Sequence, residues 1–359
     1  MTQPPPNPPV LPFDQHGRYQ MVAEALEAAR PVIRAQLRVL DVGGLAPTLR
    51  GKPLLPGPLF LPADEVTTLD QPACDLPGYI QGDGRNLPFD DGSYDFVIAC
   101  DVLEHVPAAD RPAFLAELLR VARYGIAITA PFHSDGVVAA ERLLAAYILA
   151  EMDNDQLQLR EHRTFGWPTL DGTAAQLAEL DATSRSYPAG YLHAWLAMML
   201  AKHYLLSRSD DLVLHEALDT YFTRFLADGD RREPAYRYLV LAARPAGTAW
   251  LAAAEAALTP TITAAETADQ PGWPDLAHWL QALLGFDADG PPHTLAKATR
   301  AQLDEIAALQ AAIAQRDARI ADLEQRAAWL AAQADAATST LRAVEQGRVM
   351  RLLRRFGRR

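Results

Sequence analysis

Acidic residues stand where a ligand-binding sheet needs them. In YIQGDGRNLPFDDGSYDFVIACDVLEHVP, residues 79–107, Asp83 closes one strand-like run and Asp101 follows the next. Asp41 in LRVLDV and Asp70 in EVTTLD hold equivalent places in two earlier runs. In an open α/β sheet the carboxyl ends of the strands border a ligand crevice, and carboxylates there accept hydrogen bonds from hydroxyls and amines. Gly43 and Gly44 follow the first run, where a missing Cβ lets backbone approach a ligand, although glycines after strands are common. Proton chemistry has its own candidates: His105 in LEHV, His133 in APFHSD, and Glu161 with His162 in REHRTFGWP. Histidine changes charge near neutral pH, which suits it to acid–base work. Each residue also has a plainer reading, as a turn aspartate or as a core, surface or loop histidine. The spacing gives no metal-ligand set.

These residues need strands to hold them. Five runs qualify in order, at 37–42, 65–70, 78–83, 94–101 and 125–132, followed by weaker ATSRSYP and stronger YRYLVLAAR at 236–244. The fourth and fifth are almost continuously apolar, as strands buried on both faces of a parallel sheet are. RYQMVAEALEAAR reads as a helix, with Met21, Val22, Ala25 and Leu26 on one face. ADRPAFLAELLRVAR reads as a crossover helix with Asp110 as its cap and Phe114, Leu115, Leu118, Leu119 and Val121 as its apolar stripe. The expected fold class is α/β: a doubly wound, mostly parallel, seven-stranded Rossmann-like sheet, followed by a C-terminal α-helical coiled coil.

The chain has 359 residues, 49% hydrophobic and 22% charged, which is too apolar for a mainly disordered protein. Its formal charge is −12, yet the last twelve residues, RVMRLLRRFGRR, contain six arginines and no acid. Without those six the charge is −18, which argues against nucleic-acid binding by the main domain. Two cysteines, Cys74 and Cys100, make no disulfide framework and fit a reducing cytoplasm. The opening MTQPPPNPPVLP has no signal-peptide pattern, and no run approaches eighteen apolar residues.

Together LRVLDVGG, TTLD, GDGRNLPFDDGSYDFVIACDVLEHV and APF resemble, in order, the motifs of class I S-adenosylmethionine-dependent methyltransferases. The resemblance runs from about Arg18 to Arg244 and is similar to a bacterial "type 11" subgroup found near glycan and glycosyltransferase genes. It implies S-adenosylmethionine as cofactor. Asp70 would then take the ribose hydroxyls, and Asp83 the adenine amine beside the Gly84 and Arg85 backbone. Gly43, Gly44 and Asp41 would serve the methionine end, and Asp101, Val102 and His105 would lie near the transferable methyl. His133, His162 and Glu161 are the candidates for deprotonating an acceptor. The loop DVGGLAPTLRGKPLLPG departs from the family's richer glycine pattern, and it lacks the G-x-G-x-x-G that a dinucleotide pyrophosphate needs.

The expected organisation is a proline-rich leader at 1–12, the methyltransferase domain at 13–245, a helical linker at 246–297, a coiled coil at 298–346 and a basic amphipathic tail at 347–359. Ile306, Ile313, Ile320, Ala327, Ala334 and Leu341 recur every seven residues, with Leu309, Leu323, Leu330, Ala337 and Val344 at the partner positions. That seam implies a homo-oligomer, with a helix folded back on the main domain as the alternative. The tail suits an anionic membrane surface or an acidic partner, placing the protein in the cytoplasm, peripheral to the inner face of a membrane. The acceptor implied by the resemblance is a saccharide or lipid-linked glycan. A small lipid or quinone-like acceptor, or a noncatalytic scaffold, remains open at this level.

Overall fold

The computed structural model describes residues 11–48, 51–208 and 212–267, with scattered helical positions between 315 and 342. Contacts divide the chain into a compact unit, Met1–Thr294, and a second unit, Leu295–Arg359.

All seven expected strands form one sheet. They are β1 (Arg38–Val42), β4 (Glu65–Asp70), β5 (Tyr79–Gln81), β6 (Tyr94–Cys100), β7 (Ala122–Pro131), β8 (Thr183–Pro188) and β9 (Arg237–Ala243). The prolines between β1 and β4 make, instead of a long helix, a two-residue hairpin of β2 (Ala46–Pro47) and β3 (Pro53–Leu54) and one turn of helix, α2 (Gly57–Phe60). The sheet order is β5-β4-β1-β6-β7-β9-β8. Pairings from β5 through β7 are parallel, whereas β9 runs antiparallel to both of its neighbours. The chain winds outward from β1 through β4 and β5, then restarts on the other side of β1 with β6. That reversal is a topological switch point, where diverging loops leave a crevice at the carboxyl edge.

Helices cover both faces. On one lie α3 (Arg111–Val121) and α6 (Leu170–Glu179), where Phe114, Leu115, Leu118, Leu119, Val121 and Leu177 are buried against the strands. On the other lie α1 (Phe13–Ala29), which buries Met21, Val22, Ala25 and Leu26, and α9 (Thr248–Thr267). Residues 248–267 were expected to belong to a linker, but α9 places Trp250, Ala254 and Leu258 fully inside the core, so the folded body continues past Arg244. A cap of α4 (Asp135–Met152), α5 (Leu157–Phe165), α7 (Leu192–Arg208) and α8 (Val213–Phe225) has its own apolar core. Asp110 is no side-chain cap for α3, because its carboxylate is engaged by Arg85. Among the described residues no helix is long and apolar enough to cross a membrane. Residues 1–10 of the leader and the whole tail lie outside the described residues, as does most of the expected coil. Of its seam, Ile320, Leu323, Ala327 and Leu330 are described; they are helical and exposed.

Candidate functional site

A cavity of about 570 Å³ opens at the carboxyl ends of β1, β4, β5 and β6. Gly43, Asp70, Asp83, Gly84, Arg85, Asp101, Val102, His105 and Glu161 all line it. Two glycines shape the cavity. Gly43 has φ +76° and donates its N–H to Leu69 O at 2.7 Å, and a Cβ there would stand 2.4 Å from Val102 Cγ2. At Gly84 a Cβ would stand 2.7 Å from the Phe114 ring and 2.8 Å from Val42 Cγ1, so its backbone lies directly on the core. No larger residue lets these loops pass so close.

The acids differ in their engagement. Asp70 Oδ1 accepts from Gln71 N at 2.7 Å and Oδ2 from Leu45 N at 3.1 Å, which ties the loop after β1 to the end of β4. Burial raises its pKa, and those two N–H groups oppose the rise. Asp83 lies against Arg85, whose Nη2 donates to it at 2.7 Å while Nη1 donates to Asp110 at 2.7 Å. The Arg85 hydrogen bonds hold the Asp83 pKa below its ordinary value. Asp101 sits at φ +54° with its carboxylate held by Arg237, at 2.6 Å from Nε, and by Arg18 Nε at 2.9 Å. Burial works to raise its pKa, but Arg237 and then Arg18 outweigh that and the net direction is down. Asp101 does line the cavity, as expected of a residue near the transferable methyl, but two arginines already engage its charge.

Four other expected residues, Asp41, Gly44, His133 and His162, do not line the cavity. Asp41 is fully buried beneath the first loop and accepts from Tyr19 OH at 3.1 Å. Burial lifts its pKa to about 7, with hydrogen bonds from Tyr19 and the Gly57 backbone opposing. Gly44 covers it from above, and a Cβ there would fall 2.2 Å from Asp41 Oδ2. Both serve the loop's foundation rather than its surface. His133 is exposed after β7, with its ring edge toward Trp167 and its N–H on Pro168 O at 2.8 Å.

Beside the cavity, β6 runs into a 3-10 turn, Leu103–His105, on which α5 packs. Arg111 staples the two together by donating to the carbonyls of Leu103, Val106 and Gly166. His105 Nδ1 meets Glu161 Oε2 at 2.8 Å on the cavity wall. His162, adjacent on α5, turns inward to 4% exposure, and its Nδ1 meets Glu141 Oε1 at 2.9 Å. Tyr236 OH donates to the same oxygen at 3.0 Å. The two rings meet at Nε2, 3.4 Å apart. Burial, and next His162, lowers the His105 pKa, against the pull of Glu161. Arg18, Glu104, Glu141 and Arg237 are missing from the sequence-based site. Glu141 had a signal, since it interrupts the apolar face Val137, Ala140, Leu144, Ile148 of α4.

No curated protein matches the chain. Similar solved structures include YcgJ of Bacillus subtilis, at 16% identity over 62% of this chain and 98% of that one, TM-score 0.36. Magnesium protoporphyrin IX methyltransferase of Synechocystis PCC 6803 with bound SAH shares 14% identity over 64% and 85%, TM-score 0.37. A SAM-dependent methyltransferase of Archaeoglobus fulgidus shares 14% over 63% and 94%, TM-score 0.37. Residues 63–128, from just before β4 into β7, match a family model described as "Methyltransferase domain". That segment carries Asp70, Asp83, Gly84, Arg85, Asp101, Val102 and His105 along one cavity, and the part of the chain that matches a methyltransferase domain is thus the part that lines it.

Proposed function

We propose that the protein O-methylates a hydroxyl of a saccharide or lipid-linked glycan. The observation that carries this reading is the protic pair Glu161–His105 on the wall of the cavity that Gly43, Asp70 and Asp83 border. The lining fits the cofactor's groups. Asp70 is placed for the ribose hydroxyls, and Asp83 with the Gly84–Arg85 backbone for the adenine edge. Arg18 and Arg237 stand behind Asp101, with Asp14 as the second partner of Arg18. When bound, S-adenosylmethionine supplies an electrophilic methyl on a sulfonium. The wall's task is to hold an acceptor oxygen in line with the carbon–sulfur bond, because alignment lowers the barrier of a displacement. Glu161, oriented by His105, receives the hydroxyl proton as the carbon–oxygen bond forms.

A lipid or quinone-like acceptor would need an apolar chamber under the cap. The cap's apolar residues, Leu144, Tyr147, Ile148, Trp195 and Met198 among them, are used in its own core, and Asp70, Asp83, Arg85 and Glu161 line the cavity. Calorimetry of the full chain with S-adenosylmethionine and with its demethylated product tests the reading. Binding of both is expected, and transfer of labelled methyl to a polysaccharide rather than a lipid extract is expected to follow. Absence of heat with either ligand at millimolar concentration overturns it in favour of a scaffold. We extend the proposal to the C-terminus: residues 298–346 associate the chain into a homo-oligomer in the cytoplasm, and residues 347–359 attach it to an anionic membrane surface.

A further inference from the structure

The histidines beside the cavity face one another in a way that calls for a positive species between them. Glu161 and Glu141 only accept hydrogen bonds when ionised, so the Nδ1 atoms of His105 and His162, at 2.8 and 2.9 Å from them, carry the ring hydrogens. In two neutral imidazoles the Nε2 atoms then both present lone pairs, and these point at each other across 3.4 Å. A third donor converges on the same place. Glu104 is 1% exposed, its Oε1 lies 4.0 Å from His105 Nε2, a carboxylate oxygen lies within 4.8 Å of a ring nitrogen of each histidine, and its Oε2 has no hydrogen-bond partner. Burying an unpaired carboxylate oxygen is costly unless something positive meets it.

We propose that Glu104, His105 and His162 bind a divalent transition-metal ion, with Zn²⁺ the best fit. The sequence alone gave no such set, because His162 and Glu104 are brought together by α5 packing on the 3-10 turn. With metal–nitrogen bonds of about 2.0–2.1 Å, an Nε2–Nε2 separation of 3.4 Å corresponds to a bond angle of about 110°, the tetrahedral value. Two imidazoles and one carboxylate suit zinc and its neighbours rather than magnesium or calcium. Each ring has the outer support expected of a metal-bound histidine, a carboxylate on Nδ1, and Glu141 is itself held by Tyr236 OH at 3.0 Å.

Three protein ligands leave a fourth position, as in catalytic rather than structural zinc sites. Of the three ligands His105 lines the cavity, which brings the proposed ion within one side chain of it. An acceptor hydroxyl coordinated at the fourth position would become more acidic, and its proton would leave to water in the cavity as the oxygen takes the methyl group and the carbon–sulfur bond breaks. This role rests on the methyl-transfer reading; the binding of the ion does not.

The test uses untagged full-length protein stripped with chelator and titrated with Zn²⁺ by calorimetry and with Co²⁺ by visible absorption. One equivalent per chain and the intense bands of four-coordinate Co²⁺ are expected. Glu104→Gln and His162→Gln should each weaken binding at least tenfold. Glu141→Gln, which removes no ligand, should weaken it about tenfold to a hundredfold through loss of outer support. Absence of a stoichiometric ion, or binding unchanged in all three folded variants, overturns the proposal. So do ¹⁵N imidazole shifts that report a proton shared between the rings and ignore added Zn²⁺. S-Adenosylmethionine binding, measured separately, distinguishes failure of the metal site from failure of the methyltransferase reading.

Discussion

Removing the Asp83 carboxylate takes an acceptor from the cavity and frees Arg85 from one of its two carboxylate partners. Removing Asp70 takes an acceptor and also releases the N–H groups of Leu45 and Gln71. A lost charge-assisted hydrogen bond costs about 1.5–3 kcal/mol, or roughly tenfold to a hundredfold in affinity. Asp83→Ala and Asp70→Ala are therefore expected to weaken S-adenosylmethionine binding by that factor in calorimetry, whereas His133→Ala, away from the cavity, leaves it unchanged. Normal binding by both folded aspartate variants would move the cofactor elsewhere. Asp41 gives a pH signature instead. Its folded pKa of about 7 exceeds the unfolded value of about 3.9, so between those values the folded state holds a proton that the unfolded state has lost. Stability from this source is complete below about pH 4 and falls as pH rises to about 7. Asp41→Asn, which never ionises, should exceed the native chain in urea stability at pH 8, by a few kcal/mol at most, and lose that advantage at pH 4. Asp230, also raised to about 7 by burial, keeps part of the slope in both proteins. A difference independent of pH would refute the assignment. At this scale the strand-end acids were legible, because strand periodicity fixes where a strand ends. Their partners were not: Arg237 reaches Asp101 across 136 residues and Glu141 reaches His162 across 21, and pairings of that kind are set by packing.

At the scale of elements, α9 decides where the folded body ends. Trp250 is fully buried, lies edge-on to Phe96 with ring centroids 4.9 Å apart, and donates Nε1–H to Tyr124 O at 3.2 Å. Two glycines make room for this: a Cβ on Gly125 would come 2.7 Å from Trp250 Cζ2, and one on Gly247 would come 2.4 Å from Tyr124 O. Truncating a buried tryptophan to alanine costs about 3–5 kcal/mol, a large share of the stability of an ordinary domain. Trp250→Ala is thus expected to lower the urea midpoint sharply. A chain ending at Arg244 should fail to unfold cooperatively, while one ending at Thr267 keeps both its transition and its cofactor binding. A stable chain ending at Arg244 would make α9 an accessory. β6 and β7 were readable because strands buried on both faces of a parallel sheet are nearly all apolar, and the others by the turn residues that bound them. The helix was obscured by alanines and by Pro260 in its interior, although Trp250, Leu251, Ala254 and Leu258 keep helical spacing. The loop between β1 and β4 was legible only as a departure from a pattern. Its hairpin depends on Gly44 and Gly57 both resting on Asp41, a contact that no local sequence signal announces.

At the scale of the whole molecule, the unit Met1–Thr294 carries the cavity, and Leu295–Arg359 carries the features that would set its location. Ile320, Leu323, Ala327 and Leu330 lie on one side of a helix at spacings of three and four residues, and Ile320, Leu323 and Leu330 are 45%, 51% and 59% exposed. Water on such a stripe is unfavourable, and burial against a second copy relieves it. Under the proposed association several tails of six arginines would act together, each arginine worth about 1 kcal/mol near an anionic surface, and attachment would strengthen with copy number. The remainder of the chain, at −18, opposes close approach and makes the balance depend on salt. Sedimentation of the full chain and of one ending at Pro292, with and without vesicles containing anionic lipid, separates the two effects. The full chain is expected to sediment as an oligomer and to move with the vesicles at low salt, losing them as salt rises; the shortened chain is expected to do neither. A full-length monomer would refute the seam as an oligomeriser. An oligomer indifferent to vesicles at every salt concentration would leave the seam standing and remove the membrane from the protein's placement.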